Sequence, residues 1–256
     1  MCLLVFAWQQ HPRYRFILAG NRDEFHDRPT APAQWWEDHP DILAGKDLKA
    51  GGSWLGISRS GRFGTVTNFR ETASPSGGLR SRGELINGFL NTAQGPATWL
   101  AGKENDRDAY GGFNLIVGDG SELGYMSNRG QDARTLQAGV AGLSNRRLDT
   151  PWPKLLRARR RFERLIGDAS PNTESLFELL SDRKRATDEE LPDTGIPREW
   201  ERLLSSIFIV SPAYGTRAST VLLIGHDGHV FFEERRFAAD GQQSGASQVD
   251  FDIEAG

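Results

Sequence analysis

The chain has 256 residues, a formal net charge of −3 and one cysteine. Acidic and basic residues are interspersed, which argues against a general nucleic-acid-binding protein. One cysteine permits no internal disulfide, which suits a reducing compartment, and we expect a cytoplasmic protein. The apolar run from Leu3 to Trp8 is too short for a signal peptide or a membrane span, so no stable membrane insertion is expected.

The chain opens with two apolar runs that predict an antiparallel hairpin. Cys2 to Trp8 predicts the first strand and Tyr14 to Ala19 the second. Antiparallel pairing sets the start of one strand beside the end of the next, so residues 20–24 should lie near Cys2. Residues 26–50 hold three prolines and predict an irregular segment.

Further strands alternate with two blocks of helices along the rest of the chain. Helical spacing predicts helices at 82–92, 96–102, 153–166 and 173–181. Strand patterns cover 51–57, 63–67, 113–118, 123–128, 140–143, 207–210, 219–225 and 230–237. The order predicts an α+β fold of two packed antiparallel sheets with helices outside, in a single domain of residues 1–237. The polar tail, residues 238–256, is predicted to be disordered.

The helix predicted at 153–166 has a strongly basic face. A basic face of this kind could meet phosphate or an acidic partner. Since the net charge is negative and no aromatic residues interleave, a solvated helix surface is the better interpretation. The basic residues of this face are Lys154, Arg157, Arg159, Arg160, Arg161 and Arg164.

Cys2 follows the initiator methionine directly. Aminopeptidases remove this methionine when the second residue is small, so we expect a mature chain that begins with Cys2. That residue would carry a thiol and a free α-amine on one carbon. With reference pKa values of about 8.5 and about 7.7–8.0, the amine can take the thiol proton near neutral pH. The alternative is a small apolar residue buried in a strand.

Polar residues at the ends of three predicted strands could assist such a nucleophile. The Arg22 guanidinium would lower the pKa of the thiol and of the amine, and the Asp23 carboxylate could accept a hydrogen bond from the amine. A structural ion pair is the alternative for these two. Asn68 and Asn145 could donate to an oxyanion, or they could simply form turns.

A series of motifs, spread in order over residues 1–237, resembles the NRDE family, the relatives of the eukaryotic transport and Golgi organisation protein 2. This resemblance implies an N-terminal nucleophile (Ntn) hydrolase-like fold of four layers, αββα. The motifs are Met1-Cys2, Asn21-Arg22-Asp23-Glu24-Phe25, Arg28-Pro29-Thr30, Ala44-Gly45-Lys46-Asp47, Gly51-Gly52-Ser53-Trp54-Leu55-Gly56, Thr67-Asn68-Phe69-Arg70 and Pro151-Trp152-Pro153-Lys154.

The chain is also distantly similar to the choloylglycine hydrolase and penicillin V acylase group. That likeness implies a cysteine amidohydrolase or acyl transferase that cleaves the nonpeptide C–N bond of a small N-acyl compound through a Cys2 thioester. It implies functional roles for the residues that match the group's pattern, with either Asp23 or Glu24 as the carboxylate. The matching positions are Cys2, Arg22, Asp23, Asn68, Asn145 and Arg217.

Two other functions remain open. The resemblance to relatives associated with lipid homeostasis and haem trafficking implies that the same pocket could carry a haem or an acyl ligand without turnover. A structural interaction protein would need neither an activated thiol nor a ligand. Trp35, Trp36 and Trp54 could shape an apolar acyl pocket. The histidines are scattered, so we predict no metal site, and no cofactor is expected.

Overall fold

Two antiparallel β-sheets lie face to face, and helices cover the outer face of each. The computed structural model describes residues 2–71, 80–168 and 171–254. The strands of the first sheet are β1 (Cys2–Trp8), β2 (Tyr14–Phe25), β10 (Gly139–Leu143), β11 (Tyr214–Gly225), β12 (His229–Phe237) and β13 (Gln243–Asp252). Their order across the sheet is β10-β1-β2-β11-β12-β13.

The second sheet runs in simple chain order from β3 to β9. Its strands are β3 (Thr30–Trp35), β4 (Ile42–Asp47), β5 (Leu55–Ser58), β6 (Phe63–Asn68), β7 (Phe113–Gly118), β8 (Leu123–Ser127) and β9 (Gln131–Thr135). The helices are α1 (Gly83–Leu90), α2 (Pro96–Lys103), α3 (Pro153–Leu165), α4 (Thr173–Leu180) and α5 (Arg198–Leu203). Short 3-10 helices span Glu104–Ala109 and Asp188–Glu190.

Three apolar clusters separate the four layers. One fills the space between the sheets, a second joins the first sheet to α3 and α4, and a third joins the second sheet to α1 and α2. This arrangement confirms the predicted αββα fold. None of the helices in the described part of the chain has the length and apolar character needed to cross a lipid bilayer.

Side-chain alternation on the first hairpin decides which layer each site residue faces. On β1, Leu4 and Phe6 face the cluster between the sheets, and Leu3 and Val5 face the helices. Successive side chains of a strand point to opposite faces, so Cys2 belongs to the side between the sheets. On β2 the same alternation sets Phe16, Leu18 and Arg22 on that side. Ile17, Ala19, Asn21 and Asp23 are set toward the helices.

The prediction that residues 26–50 are irregular is wrong, because they contain β3 and β4. Proline is tolerated here because β3 lies at the edge of its sheet. Pro32 is exposed, and the β3–β4 register shifts between Ala31 and Gln34. Because of this shift, no hydrogen bond between the strands requires the backbone N–H that proline lacks. The expected strand at 207–210 is wrong as well, since this buried segment has no strand pairing.

The prediction of a disordered tail from Ala238 onward is also wrong. Residues Gln243–Asp252 form β13, which pairs antiparallel with β12. Val249, Phe251 and Ile253 alternate with exposed polar residues and pack against the cluster between the sheets. The polar composition of this tail therefore reflects one solvated face of an edge strand.

Candidate active site

Cys2 lies at the start of β1, directly opposite Arg22 on β2. The residue after β10 also holds Cys2 in place, because the Ser144 hydroxyl donates to the Cys2 carbonyl at 3.3 Å. A cavity of about 450 Å³, which we call the Cys2 cavity, opens at this end of the two sheets. Its lining residues include Cys2, Arg22, Asp23, Glu24, Arg28, Asp47, Lys49, Trp54, Asn68, Arg80 and Arg82.

The environment of the Cys2 thiol favours its neutral form. Burial raises the pKa of the thiol, and the negative charge of Asp23 acts in the same direction. The chain's terminal ammonium group, the Arg22 guanidinium and a hydrogen bond from the Asp23 backbone N–H lower this pKa in opposition. Because the net shift is upward, attack by Cys2 requires a base that removes its proton.

Arg22 is held in place on one face by an aromatic ring and on another by a carboxylate. Its guanidinium lies over the Trp54 ring, 4.2 Å from the centroid, and its Nη2 is 4.0 Å from Asp47 Oδ2. The Arg28 Nε donates to the same Asp47 oxygen at 2.7 Å. A Cβ at Gly45 would lie 2.4 Å from the Trp54 ring, so glycine is required there for the ring to reach Arg22.

The Asp23 carboxylate lies buried on the helix-facing side of β2. Its Oδ1 accepts a hydrogen bond from the Thr216 hydroxyl at 2.7 Å, and its backbone carbonyl accepts one from the Tyr214 hydroxyl at 3.0 Å. Burial raises the pKa of Asp23, and Lys154 provides the strongest opposing effect. Asp23 is therefore a buried carboxyl group whose charge depends on its neighbours.

The two candidate oxyanion donors occupy different positions. Asn68 lines the Cys2 cavity. Asn145 is fully buried and does not belong to the lining; its Nδ2 donates to the Asn68 carbonyl at 2.9 Å. The Arg70 N–H donates in turn to the Asn145 carbonyl at 2.7 Å. Asn145 thus holds the chain segment that carries Asn68.

Arg217 occupies a register shift of β11, opposite the end of β2. Its Nη1 donates to three backbone carbonyls of the following turn, those of Phe25, His26 and Arg28, at 3.0, 3.0 and 3.4 Å. It is not among the residues that line the Cys2 cavity. In this structure Arg217 fastens the connection from β2 to β3.

Of the three tryptophans predicted to line an acyl pocket, Trp54 lines the Cys2 cavity and the other two do not. The Trp35 ring packs edge-on against Phe251, with 5.1 Å between the centroids. Trp36 is buried in the cluster beneath α1 and α2. Trp35 ends β3 and Trp36 follows it, and both side chains pack into apolar clusters. Their closeness in sequence to the motifs was therefore misleading.

The lining of the Cys2 cavity is polar and carries an excess of positive charge. Basic side chains outnumber acidic ones by five to three. The basic residues are Arg22, Arg28, Lys49, Arg80 and Arg82, and the acidic residues are Asp23, Glu24 and Asp47. This composition contradicts the expectation of an apolar acyl pocket. Among the described residues, no three His, Cys, Asp or Glu side chains converge as a metal site.

The prediction that Lys154 belongs to the solvated face of its helix is wrong. Its side chain is 2% exposed, whereas Arg159, on the same helix, pairs with Glu163 at the surface. Lys154 lies one helical turn before Ala158, which is buried against the first sheet. That helical spacing was the sequence signal that Lys154 is buried. The run of arginines that follows it favoured a solvated face instead.

Comparisons with known proteins identify relatives of the whole chain. The family model described as Transport and Golgi organisation 2 matches residues 1–239. The "Transport and Golgi organization 2 homolog" of Mus musculus is 35% identical over 257 residues, with 92% of each chain covered. The Homo sapiens "Transport and Golgi organization protein 2 homolog" is 36% identical, with the same coverage.

One similar solved structure is the Caenorhabditis elegans ortholog of N-acylethanolamine-hydrolyzing acid amidase. It matches with a TM-score of 0.50 and 13% sequence identity, over 87% of this chain and 92% of that chain. At this level of identity the likeness concerns the fold. The fold agrees with the Ntn-hydrolase arrangement of two sheets between helical layers.

Proposed function

Because the chain belongs to the Transport and Golgi organisation 2 family and has an Ntn-hydrolase fold, we propose that it is an N-terminal-cysteine hydrolase or acyl transferase. Its substrate is a small N-acyl compound, whose nonpeptide C–N bond is cleaved through a thioester on Cys2. The observation that carries the proposal is the placement of Cys2. As the first residue of β1 it borders a 450 Å³ cavity together with Arg22, Asp23 and Asn68.

In the proposed mechanism the α-amine of Cys2 is the base. After removal of Met1, the neutral amine of Cys2 takes the thiol proton, and the thiolate sulfur bonds to the substrate carbonyl carbon. The Asn68 amide and backbone N–H groups donate to the resulting oxyanion. The oxyanion collapses to a thioester as the C–N bond breaks, and the Cys2 ammonium gives its proton to the departing nitrogen. Water, or an acceptor in a transferase, then attacks the thioester.

The charge of the cavity indicates the kind of acyl group it accepts. Arg28 is already paired with Asp47, and Arg82 donates to the Gly112 carbonyl at 3.0 Å. The excess of cationic side chains favours a substrate that carries a carboxylate or another anionic group, since charge-assisted hydrogen bonds are the strong ones. We therefore expect an anionic acyl part.

A second candidate function is a carrier of an acyl or haem ligand in the same cavity. The observation that favours it is the cavity of about 450 Å³, bordered by Trp54 and by basic side chains that can bind the carboxylates of such a ligand. A carrier binds its ligand without forming a bond to sulfur. It would keep that binding when Cys2 is replaced.

Intact-mass analysis of the purified full-length protein tests the proposal. We expect the mass to lack Met1, and incubation with the 4-nitroanilide of glutaric acid to add one glutaryl group and release 4-nitroaniline. The pentanoyl 4-nitroanilide has an acyl chain of the same length without the carboxylate, and we expect it to react roughly 10- to 100-fold more slowly. Cys2→Ala should abolish both reactions.

A retained Met1 in the whole preparation, or the absence of both an acyl adduct and 4-nitroaniline release, would contradict the hydrolase. Equal rates for the two anilides would contradict the anionic acyl group alone. Binding of haem or of a fatty acid that is the same in the Cys2→Ala variant and in the wild type would favour the carrier.

A further inference from the structure

A second, smaller cavity lies between the two sheets, and the mechanism above does not use it. Its volume is about 100 Å³, and we call it the arginine cavity. In the described part of the chain, three guanidinium groups and one carboxylate line it, those of Arg22, Arg217, Arg236 and Glu234. Such an excess of positive charge in a confined space favours an anionic occupant.

The register of the first sheet sets two of these arginines on either side of a small residue. Arg22 lies opposite Ala218, which in turn lies opposite Arg236 on β12. Residues opposite one another on neighbouring strands point to the same face with their Cβ atoms about 5 Å apart. Here that face is the one toward the second sheet. The methyl group of Ala218 therefore leaves a space open between two long cationic side chains.

The Arg22 guanidinium has donors without protein acceptors. Its side chain is 6% exposed, and its contacts within the described residues are the Trp54 ring and Asp47 Oδ2 at 4.0 Å. A separation of 4.0 Å is too long for a hydrogen bond. A buried guanidinium has several N–H groups that need acceptors, and an anion in the arginine cavity would supply them.

Strand β13 holds Arg236 at the cavity. The Arg236 Nη1 donates to Ser247 Oγ at 2.8 Å and lies 3.8 Å from Glu234 Oε1. A Cβ at Gly245 would lie 2.5 Å from Arg236 Nη2, so glycine is required for the guanidinium to lie there. Glu234 is 1% exposed and also accepts from the Ala33 N–H at 2.9 Å. This single carboxylate cannot balance three guanidinium groups.

We propose that the arginine cavity binds a free tetrahedral oxyanion, such as inorganic phosphate, among Arg22, Arg217 and Arg236. The planar fork of a guanidinium group matches two oxygens of a phosphate. Hydroxyl groups of Thr30 on β3 and Ser244 on β13 also line the cavity, so donors surround it from both sheets. This arrangement suits an anion whose oxygens point in several directions. The site does not depend on the proposed hydrolase activity.

Isothermal titration calorimetry of the full-length protein with sodium phosphate, at pH 7 and constant ionic strength, tests the site. We expect saturable binding that Arg236→Met weakens roughly 10-fold or more, because charge-assisted hydrogen bonds are lost. Arg82 lines the Cys2 cavity and not the arginine cavity, so Arg82→Met should leave this binding unchanged. Arg235→Met is the control of equal charge, since Arg235 Nη2 instead lies 2.6 Å from Glu174 Oε2 on α4.

Three results would overturn the proposal. The first is the absence of saturable binding. The second is weakening by Arg82→Met without weakening by Arg236→Met, which would assign the phosphate to the Cys2 cavity. The third is equal weakening by Arg235→Met and Arg236→Met, which would show an effect of net charge alone.

A series of anions in the same titration tests the chemistry of the ligand. Sulfate should bind like phosphate, whereas acetate should bind roughly 10-fold more weakly because it offers only one edge of oxygens. Equal binding of acetate would contradict a tetrahedral anion. Glycerol 3-phosphate carries the same group on a larger molecule, and tighter binding of this ester would contradict a free anion.

Thermal unfolding with Ala218→Val covers the case in which Arg236→Met folds poorly. This variant keeps every charge and fills the space between Arg22 and Arg236. Phosphate at about 100 times its Kd should raise the Tm of the wild type by roughly 5–10 °C and that of Ala218→Val by much less. An equal rise in both proteins would overturn the proposal.

Discussion

At the scale of single residues, burial shifts the pKa values of Cys2, which lines the cavity, and of Lys154, which does not. Burial raises the pKa of the Cys2 thiol and lowers the pKa of Lys154 to about 8. The thiol is thereby kept neutral until a base removes its proton. The Lys154 side chain, in contrast, carries its charge only below about pH 8.

The shift of Lys154 predicts how stability changes with pH. Between about pH 8 and the ordinary lysine pKa of about 10.4, the folded state has released this proton while the unfolded state still binds it. The free energy of unfolding of the wild type should therefore rise with pH, relative to Lys154→Met, by up to about 3 kcal/mol. Urea unfolding at pH 7, 8, 9 and 10 measures the difference. A difference that is flat across this range, as we expect for Arg160→Met, would contradict the shift.

At the scale of secondary structure elements, the edge strands show how sequence patterns can mislead. β3 carries Pro32 and β13 carries a polar composition, and neither pattern is typical of a strand on its own. Both are edge strands, where one side of the ladder is solvated and strand rules are relaxed. The two also meet, since Phe251 of β13 packs against Trp35 of β3.

This contact predicts that β13 contributes to stability. Phe251→Ala removes the ring that covers Trp35 and part of the cluster between the sheets, so we expect a loss of about 2 kcal/mol. For a chain of this size that corresponds to a decrease in Tm of roughly 4–8 °C. The control is Gln248→Ala on the exposed face of the same strand, with an expected change within about 2 °C. Equal effects in thermal unfolding would contradict the packing of the tail.

At the scale of the whole molecule, the site lies where the two sheets are joined. The end of β6 belongs to the second sheet and the end of β10 to the first. The hydrogen bonds from Asn145 to the Asn68 carbonyl and from the Arg70 N–H to the Asn145 carbonyl connect them beside Cys2. The position of Asn68 in the Cys2 cavity therefore depends on the packing of one sheet upon the other.

These hydrogen bonds between the two sheets predict different consequences for substituting the two asparagines. Asn68→Ala should lower acyl-transfer turnover by roughly 10²–10³-fold, as expected for one oxyanion donor, with little change in Tm. Asn145→Ala leaves the Asn68 carbonyl without its partner and should cost about 1–3 kcal/mol of stability. Turnover and thermal unfolding of both variants separate the roles. An unchanged Tm in Asn145→Ala would contradict the supporting role of Asn145.

The sequence by itself determined the features that depend on local physics. The opening hairpin brings Cys2 opposite Arg22, because a short turn sets the register of two adjacent strands. The alternation of apolar residues in strands and their spacing in helices were enough to predict the layers. The motifs were enough to identify the family. These relations join residues that are close in the chain, or patterns that repeat along it.

Only the tertiary structure decided which side chains share the site. Lys154 is buried because α3 docks against β1 and β10, which are distant from each other in the chain. Arg217 fastens a turn, Asn145 supports Asn68, and Trp35 and Trp36 fill cores, although sequence alone made them candidates for chemistry. The physical reason is that burial and the sign of a neighbouring charge are set by packing between distant segments, which local propensity does not encode.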